Sequence, residues 1–263
     1  MMKIIIRTIY FLIFYTTTVL GQIEHVPLVT DRPDQTESAV IVPYNTFQIE
    51  TGFIYQIQKF SEDQIEFENE NLILASTLIR YGITNELEFR FGGEYFNGKS
   101  TSSGLSRLTN GLQGFFVGSK YHLRKNEKIL SDVSVILHLM LPFGHQNLKP
   151  DRIEPVLKLA LSQEISEKFS LGINLGLVNN SSINVTEYYY SMAFGTSLTS
   201  KIGFFVEMYG SFHKTFLPVH NFDAGITYLH LSNLQIDFSL GTLLFKSEKD
   251  LFGGLGISFR IPK

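Results

Sequence analysis

Charged side chains recur at every second position in several segments, which is the spacing of residues on one face of a strand. Glu88 and Arg90, for example, alternate with Leu87, Phe89 and Phe91. The charged residues on the polar parity of such segments are Glu50, Arg80, Glu88, Arg90, Glu94, Lys120, Lys158, Glu164, Glu207, Asp223, Asp237 and Arg260. Acids and bases nearly balance, which favours paired, hydrogen-bonded groups over a selectivity lining of one sign. We predict that these pairs chiefly brace the protein, and a substrate site is the alternative.

A second group of polar residues precedes the first alternating segment and has no periodicity. The stretch TDRPDQTES at 30–38 contains the candidate motif residues Asp31, Arg32, Pro33, Asp34, Gln35, Thr36, Glu37 and Ser38. Such N-terminal segments are often flexible. The four charged residues of this leader can instead pair with charges inside the protein and plug it, and this is the interpretation we favour.

Histidine and serine form no recognisable catalytic pattern. A hydrolase needs a nucleophile, a base and an orienting group in hydrogen-bond reach, yet Ser119 lies on the opposite parity from His122, and His138 and Ser134 complete no motif. The loop histidines lack metal-ligand spacing, and the chain has no cysteine, phosphate-binding loop, GxSxG or HExxH. We therefore predict no catalytic residue, no metal and no cofactor. The histidines considered in loops are His145, His213 and His220.

Alternation of apolar and polar residues predicts twelve strands separated by turn residues. They lie near 45–58, 71–82, 86–97, 111–123, 132–142, 154–165, 169–179, 187–199, 203–213, 221–230, 234–245 and 251–261. Each is close to the about 9 to 11 residues that cross a bilayer as a tilted strand. Short joins alternate with longer polar stretches at 59–70, 98–110, 143–153, 180–186, 214–220 and 246–250. This alternation is typical of outer-membrane barrels, which have short periplasmic turns and longer outer loops.

Alternation alone fits a soluble sandwich as well as a barrel. Three features favour the barrel: large apolar residues with 23 Phe and 12 Tyr in the chain, glycine on the polar parity, and a C-terminal strand, GGLGISFRIPK, with Phe259 near its end. A lipid-facing basic residue near the midplane would cost about 2 to 4 kcal/mol, so the charged parity points inward. We predict an all-β fold, a closed antiparallel transmembrane barrel over 45–263.

The N-terminal residues 1–21 combine Lys3 and Arg7 with an apolar stretch and a small residue, Gly21, at the end. This pattern indicates a signal peptide cleaved before Gln22, and an uncleaved anchor is the alternative. Residues 22–44 then form a periplasmic leader. The net charge of −3 gives no field for nucleic acid. The expected partners are outer-membrane lipid, a small solute and, through the C-terminal strand, the barrel assembly machinery.

Several motifs together resemble one family. TDRPDQTES (30–38), FQIETGF (47–53), TLIRYGITNELEFRFGGEY (77–95) and LQIDFSLG (234–241) are similar to the outer-membrane transporter family named for a meta-pathway of phenol degradation, in its Bacteroidetes-type form. The resemblance implies a transporter that is a β-barrel of the outer membrane, and we do not carry a substrate over from the family name. Our own expectation is a channel for the diffusion of small, hydrophobic or aromatic solutes. The alternatives are a lipid-modifying enzyme and a structural barrel without transport.

Overall fold

The computed structural model describes residues 26–62, 64–125, 132–214, 217–244 and 249–261. The expected signal peptide lies outside these residues. No helix in the described ranges is long and apolar enough to cross a membrane.

The described chain forms twelve strands that close into one antiparallel barrel, as predicted. Each strand pairs with its neighbours in sequence, and β1 closes the ring by pairing with β12. The strands are β1 (Phe47–Glu62), β2 (Ile65–Gly82), β3 (Leu87–Ser102), β4 (Leu105–Lys125), β5 (Asp132–Met140), β6 (Glu154–Glu164), β7 (Phe169–Asn180), β8 (Val185–Ser197), β9 (Ile202–Phe212), β10 (Val219–Leu231), β11 (Leu234–Leu244) and β12 (Lys249–Ile261). A closed ring has no exposed sheet edges. The alternative of a soluble sandwich is wrong, because the strands form one closed sheet and not two stacked sheets.

The first four strands are longer than expected, and the loops predicted at 59–70 and 98–110 are wrong. Both stretches are mainly strand, with turn residues at 64 and at 103–104. Ser103 and Gly104 have φ angles of 49° and 79°, the left-handed conformation that two-residue hairpin turns require. Phe60 stacks on Phe67 with ring centroids 5.0 Å apart. The polar composition of these stretches predicted loops. They nevertheless form strands, because hydrogen bonding between strand backbones does not require apolar side chains.

The outer face of the barrel is apolar. Phe53, Leu175 and Leu255 are more than half exposed, at 55%, 51% and 56%. Aromatic pairs sit near both ends of the strands, with Phe47 against Tyr81 at one end and Tyr188 against Phe212 at the other. An apolar band flanked by aromatic residues is the surface of a barrel that spans a lipid bilayer.

The interior has the opposite character. Among the described residues, six apolar side chains are buried, against twenty polar or charged ones. Arg80, Lys120 and Glu50 are each completely inaccessible to solvent. The centre of this protein is therefore a polar network inside an apolar wall, and that network is the feature that positions the candidate site.

Inward-facing aromatic rings lie flat against glycines of the neighbouring strand. A Cβ atom at these glycines would lie 2.2 to 2.4 Å from a ring atom. The register pairs are Gly92 with Phe116, Gly176 with Tyr189, Gly225 with Phe205, and Gly241 with Phe252. Glycine in these strands therefore makes room for a large ring beside the lumen, and the ring covers the glycine in return.

Candidate functional site

The leader, residues 26–44, enters and leaves the barrel at the same end. Arg260 donates from Nη1 to the carbonyl oxygens of Val26 and Pro27, each at 3.1 Å. At the other end of the leader, Asn45 donates its amide to Gly82 O at 2.7 Å. We call this end of the barrel the near rim; it contains the start of β1, the end of β12 and the turns 83–86, 165–168, 198–201 and 232–233. The leader is thus a loop inserted into the lumen from the near rim.

Side chains of the wall bind the leader backbone one amide at a time. The amide of Asp31 donates to Glu50, and the amide of Val42 donates to Glu88, both at 2.8 Å. Buried backbone groups need such partners because water is excluded. The further pairs are Gln35 N to Glu207 Oε2 at 2.7 Å, Glu37 N to Asn174 Oδ1 at 2.8 Å and Ala39 N to Ser162 Oγ at 3.0 Å. The leader conformation is therefore specified by residues of β1, β3, β6, β7 and β9.

Asp31 is the leader residue most deeply engaged with cations. Its Oδ2 lies 2.7 Å from Arg90 Nη1, 2.9 Å from Lys120 Nζ and 3.5 Å from Arg80 Nη1. Burial would raise the pKa of Asp31, but Arg80, Lys120 and Arg90 outweigh it and lower the pKa below its ordinary range. Asp31 is therefore an ionised carboxylate in the docked leader.

Glu37 forms a second bridge to the same wall. Its two carboxylate oxygens lie 2.5 Å from Arg90 Nη2 and 2.5 Å from Lys158 Nζ. Burial opposes the charge of Glu37, but Arg90 and Lys158 lower its pKa well below the ordinary value. Arg90 therefore binds both leader carboxylates. Its Nη1 atom contacts Asp31 and its Nη2 atom contacts Glu37.

Four cations form what we call the basic cluster: Arg80, Arg90, Lys120 and Lys158. Two carboxylates of the wall belong to it as well: Arg80 donates to Glu88 and to Glu50 at 2.9 Å. With Asp31 and Glu37 in place, four carboxylates face four cations. Without the leader, only the two wall carboxylates would remain.

The opposite wall, formed by β9, β10 and β11, is acidic. It carries Glu207, Asp223 and Asp237, each almost fully buried. Arg32 of the leader lies 3.3 Å from Asp237, and Thr36 donates to Glu207. The leader thus directs two of its three carboxylates to the basic cluster and its one arginine to the acidic wall, so most of its charges are complementary to the lumen.

Asp34 is the exception to this complementarity. It faces Glu207 and Asp223 of the acidic wall, and Asp31 on the leader itself. Burial and then the charge of Glu207 raise the pKa of Asp34 well above its ordinary value. The expectation that all four leader charges pair with opposite charges therefore does not hold for Asp34, whose surroundings in the docked leader favour the protonated form. Asp34 borders a cavity of about 420 Å³ that also touches Pro33 and the turn 166–168 at the near rim.

Above the ordinary pKa range of carboxylic acids, Asp31 and Glu37 are ionised whether the leader is docked or free. In that range we expect docking of the leader to weaken as pH rises, because of Asp34. The ordinary pKa of an aspartate is 3.8, and that of docked Asp34 is higher. Below pH 3.8 the carboxyl group is protonated in both the free and the docked leader, so its charge does not oppose docking. As pH rises through the docked pKa, the carboxyl group ionises and this contribution to docking is lost. In planar bilayers, the ion current through the barrel should therefore increase with pH, and Asp34→Asn should flatten that increase. Asp151→Asn, at an exposed loop position, is the matched control and should keep the wild-type profile. A full pH response in Asp34→Asn would contradict this account.

The structure gathers most of the predicted lumen charges and separates two from the rest. Glu94 lies further from the near rim and accepts a hydrogen bond from Gln113 at 2.8 Å. Glu164 is exposed and lines the near-rim cavity. Of the other ten predicted lumen charges, Lys158 is almost buried and nine are buried. The nine buried residues are Glu50, Arg80, Glu88, Arg90, Lys120, Glu207, Asp223, Asp237 and Arg260.

Neutral polar residues were missed in the sequence, although they hold the leader as much as the charges do. Asn174 donates to the carbonyl oxygen of Glu37 at 2.9 Å, and Thr36 bonds Ser191 at 2.8 Å. Gln48 donates to the carbonyl oxygen of Val29 at 2.8 Å. Asn174, Ser191 and Gln48 stand on the inward parity of their strands, so the strand pattern alone could have identified them.

The histidines and serines considered for catalysis have other partners. Arg90 Nε donates to His138 Nε2 at 3.0 Å, so this ring nitrogen is an acceptor. Ser134 donates to the carbonyl oxygen of Ala39 at 2.5 Å, and His122 Nε2 lies 2.9 Å from Asp132. Ser134 and His138 thus belong to the lining that contacts the leader and its cations.

Several solved structures are similar to this chain in fold. An outer membrane channel from Pseudomonas putida F1 is 13% identical, with a TM-score of 0.67 over 85% of this chain and 98% of that one. The translocator domain of the autotransporter NalP from Neisseria meningitidis is 7% identical, with a TM-score of 0.57 over 82% and 89%. The transport unit of the autotransporter AIDA-I from Escherichia coli is 11% identical, with a TM-score of 0.56 over 88% and 92%. At these low identities, the similarity shows that the fold is shared.

The sequence carries the family assignment. No curated protein matches the chain. The family profile described as "Putative MetA-pathway of phenol degradation" matches residues 30–261, which includes the leader motif and nearly all of the barrel. The chain belongs to this family.

Proposed function

We propose that the protein is an outer-membrane channel through which small solutes diffuse, and that its leader is the gate. The observation that carries this proposal is the leader inserted into the lumen of a closed barrel, with Asp31 and Glu37 paired to one wall and Arg32 to the other. The membership of the chain in its family supports the same function.

The contacts of the leader suit a gate that opens reversibly. Within it, Ala39 and Val42 are buried apolar residues, whereas its hydrogen bonds and ion pairs are numerous. Buried ion pairs add little net stability over well-packed apolar groups, because desolvation offsets their attraction. When the leader leaves, its polar groups can bind water instead. Undocking also exposes little apolar surface, because few apolar residues of the leader are buried.

The arrangement of the barrel also fits a defined orientation. In outer-membrane barrels with an even number of strands both termini lie in the periplasm, so the near rim would face the periplasm. A signal peptide cleaved near Gly21 would deliver the chain there, and the C-terminal strand would present it to the barrel assembly machinery. The apolar outer face contacts outer-membrane lipid.

A disulfide between leader and wall tests the gate directly. The hydroxyl oxygens of Thr36 and Ser191 lie 2.8 Å apart, and the chain contains no cysteine of its own. In the double variant Thr36→Cys/Ser191→Cys, oxidation is expected to abolish channel openings in planar bilayers, because the leader can no longer leave. Dithiothreitol should restore them.

The single variant Thr36→Cys is the control, and it should not respond to oxidation. Openings that persist once mass spectrometry shows the disulfide would refute the gate. Folded protein that stays silent in every redox state, and also without its leader, would refute the channel and favour a structural barrel or a lipid-modifying enzyme.

A further inference from the structure

We infer that the basic cluster is the binding site of the transported solute and that this solute is an aromatic carboxylate. The inference rests on the proposed channel function. It assigns to that channel a substrate class and the groups that recognise it. In the closed state, the leader carboxylates occupy the place of the solute.

The leader shows how this site binds carboxylates. Asp31 and Glu37 contribute two carboxylates that reach the cluster from one short segment, and Arg90 binds both, at 2.7 and 2.5 Å. Lys120 completes one position at 2.9 Å and Lys158 the other at 2.5 Å. Two neighbouring carboxylate positions therefore exist on one wall, each formed by an arginine and a lysine.

Charge balance indicates what replaces the leader. Arg80 stays paired with Glu50 and Glu88, both of which belong to the barrel. Arg90 retains one contact with Glu88, at 2.9 Å. Lys120 and Lys158 have their carboxylate contacts from the leader alone among the ion pairs of the described residues. An undocked leader thus leaves an excess of positive charge on this wall of the lumen, which a small organic anion neutralises.

Aromatic rings border both carboxylate positions. His138, bonded to Arg90, stacks on Phe116 with ring centroids 4.3 Å apart. The Nζ atom of Lys158 lies 5.4 Å from the centroid of the Tyr189 ring. Rings beside a cation provide a surface on which an aromatic solute can stack while its carboxylate binds the lysine or arginine. A carboxylate attached to an aromatic body fits this surface better than a bare inorganic anion.

Calorimetric titration of the full, folded chain in detergent tests the site without requiring current. The probe is phthalate, an aromatic ring with two adjacent carboxylates, compared with its uncharged dimethyl ester and with inorganic phosphate. Wild-type protein must displace its own carboxylates, which reduces apparent affinity. The variant Asp31→Asn/Glu37→Gln should therefore bind phthalate more tightly, on the order of tenfold. Glu70→Gln, which neutralises an exposed acid paired with Lys99 at 3.6 Å, is the control and should bind as wild type does.

Adding Lys158→Gln to the double variant should reverse the gain. If the double variant does not fold, Glu37→Gln alone gives the same comparison, because Asp31 still neutralises Lys120. Equal binding of phthalate and its ester, or of phthalate and phosphate, would overturn the inference. So would phthalate binding that is independent of Lys158. A silent channel that still binds phthalate would refute the proposed transport while leaving the site intact.

Discussion

Deletion of residues 22–40 is expected to raise the single-channel conductance several-fold. The leader reaches from the near rim to Glu207, Asn174 and Lys158, each near the middle of its strand. Removing it empties this half of the lumen while all twelve strands and their pairing remain. The measurement is the step size in planar bilayers of protein that a heat-modifiability gel shows to be folded.

A variant of unchanged length separates the loss of the motif from the loss of the chain. Replacing residues 31–38 with glycine and serine keeps the leader but removes its charges, and this variant should open more often than wild type. Folded deletion protein with wild-type steps would show that the leader does not obstruct the pore.

The substitution Arg90→Met should destabilise the docked leader more than other single changes in the lumen. Arg90 contacts Asp31, Glu37, Glu88 and His138, all within 3.0 Å. Methionine would leave buried carboxylates without their shared cation, and such losses cost about 3 to 5 kcal/mol. We expect a lower temperature of unfolding in a heat-modifiability series and channels that stay open.

Two comparisons make this prediction specific. Lys99→Met removes a cation from an exposed pair at 3.6 Å and should leave both stability and gating unchanged, because exposed pairs contribute little. Combining Arg90→Met with Glu37→Gln should recover part of the lost stability, since one stranded carboxylate is gone. Arg90→Met protein as stable and as closed as wild type would rule out a central role for Arg90.

Much of the barrel could be predicted because strand alternation is local information. Phe89 and Phe91 face outward and Glu88 and Arg90 inward, as their spacing indicated. The same parity placed Lys120 and Asp237 in the lumen. The ends of β1 to β4 could not be located, because polar residues on both parities look like loop until the pairing of Phe60 with Phe67 is known.

The leader was harder to predict because its conformation depends on contacts far apart in sequence. Nothing in TDRPDQTES indicates that Asp31 meets Lys120, 89 positions away, or that Arg32 meets Asp237, 205 positions away. Nor could the sequence show that Asp34 faces acids while Asp31 faces bases. Those environments arise only when the ring closes and brings β3 and β10 to opposite sides of one lumen.

The attachment of both leader ends to one rim has an electrical consequence. Between residues 26 and 44 the chain carries three acids and one base, so the loop has a net negative charge and can move in one direction only, back through the rim by which it entered. A potential that is positive on the near side pulls this loop outward, and the opposite polarity presses it into the lumen. A charged segment responds by about 2.3 kcal/mol per elementary charge and 100 mV when it crosses the whole field. If the leader is the gate, we therefore expect the current to rectify, with more conduction under one sign of voltage than under the other.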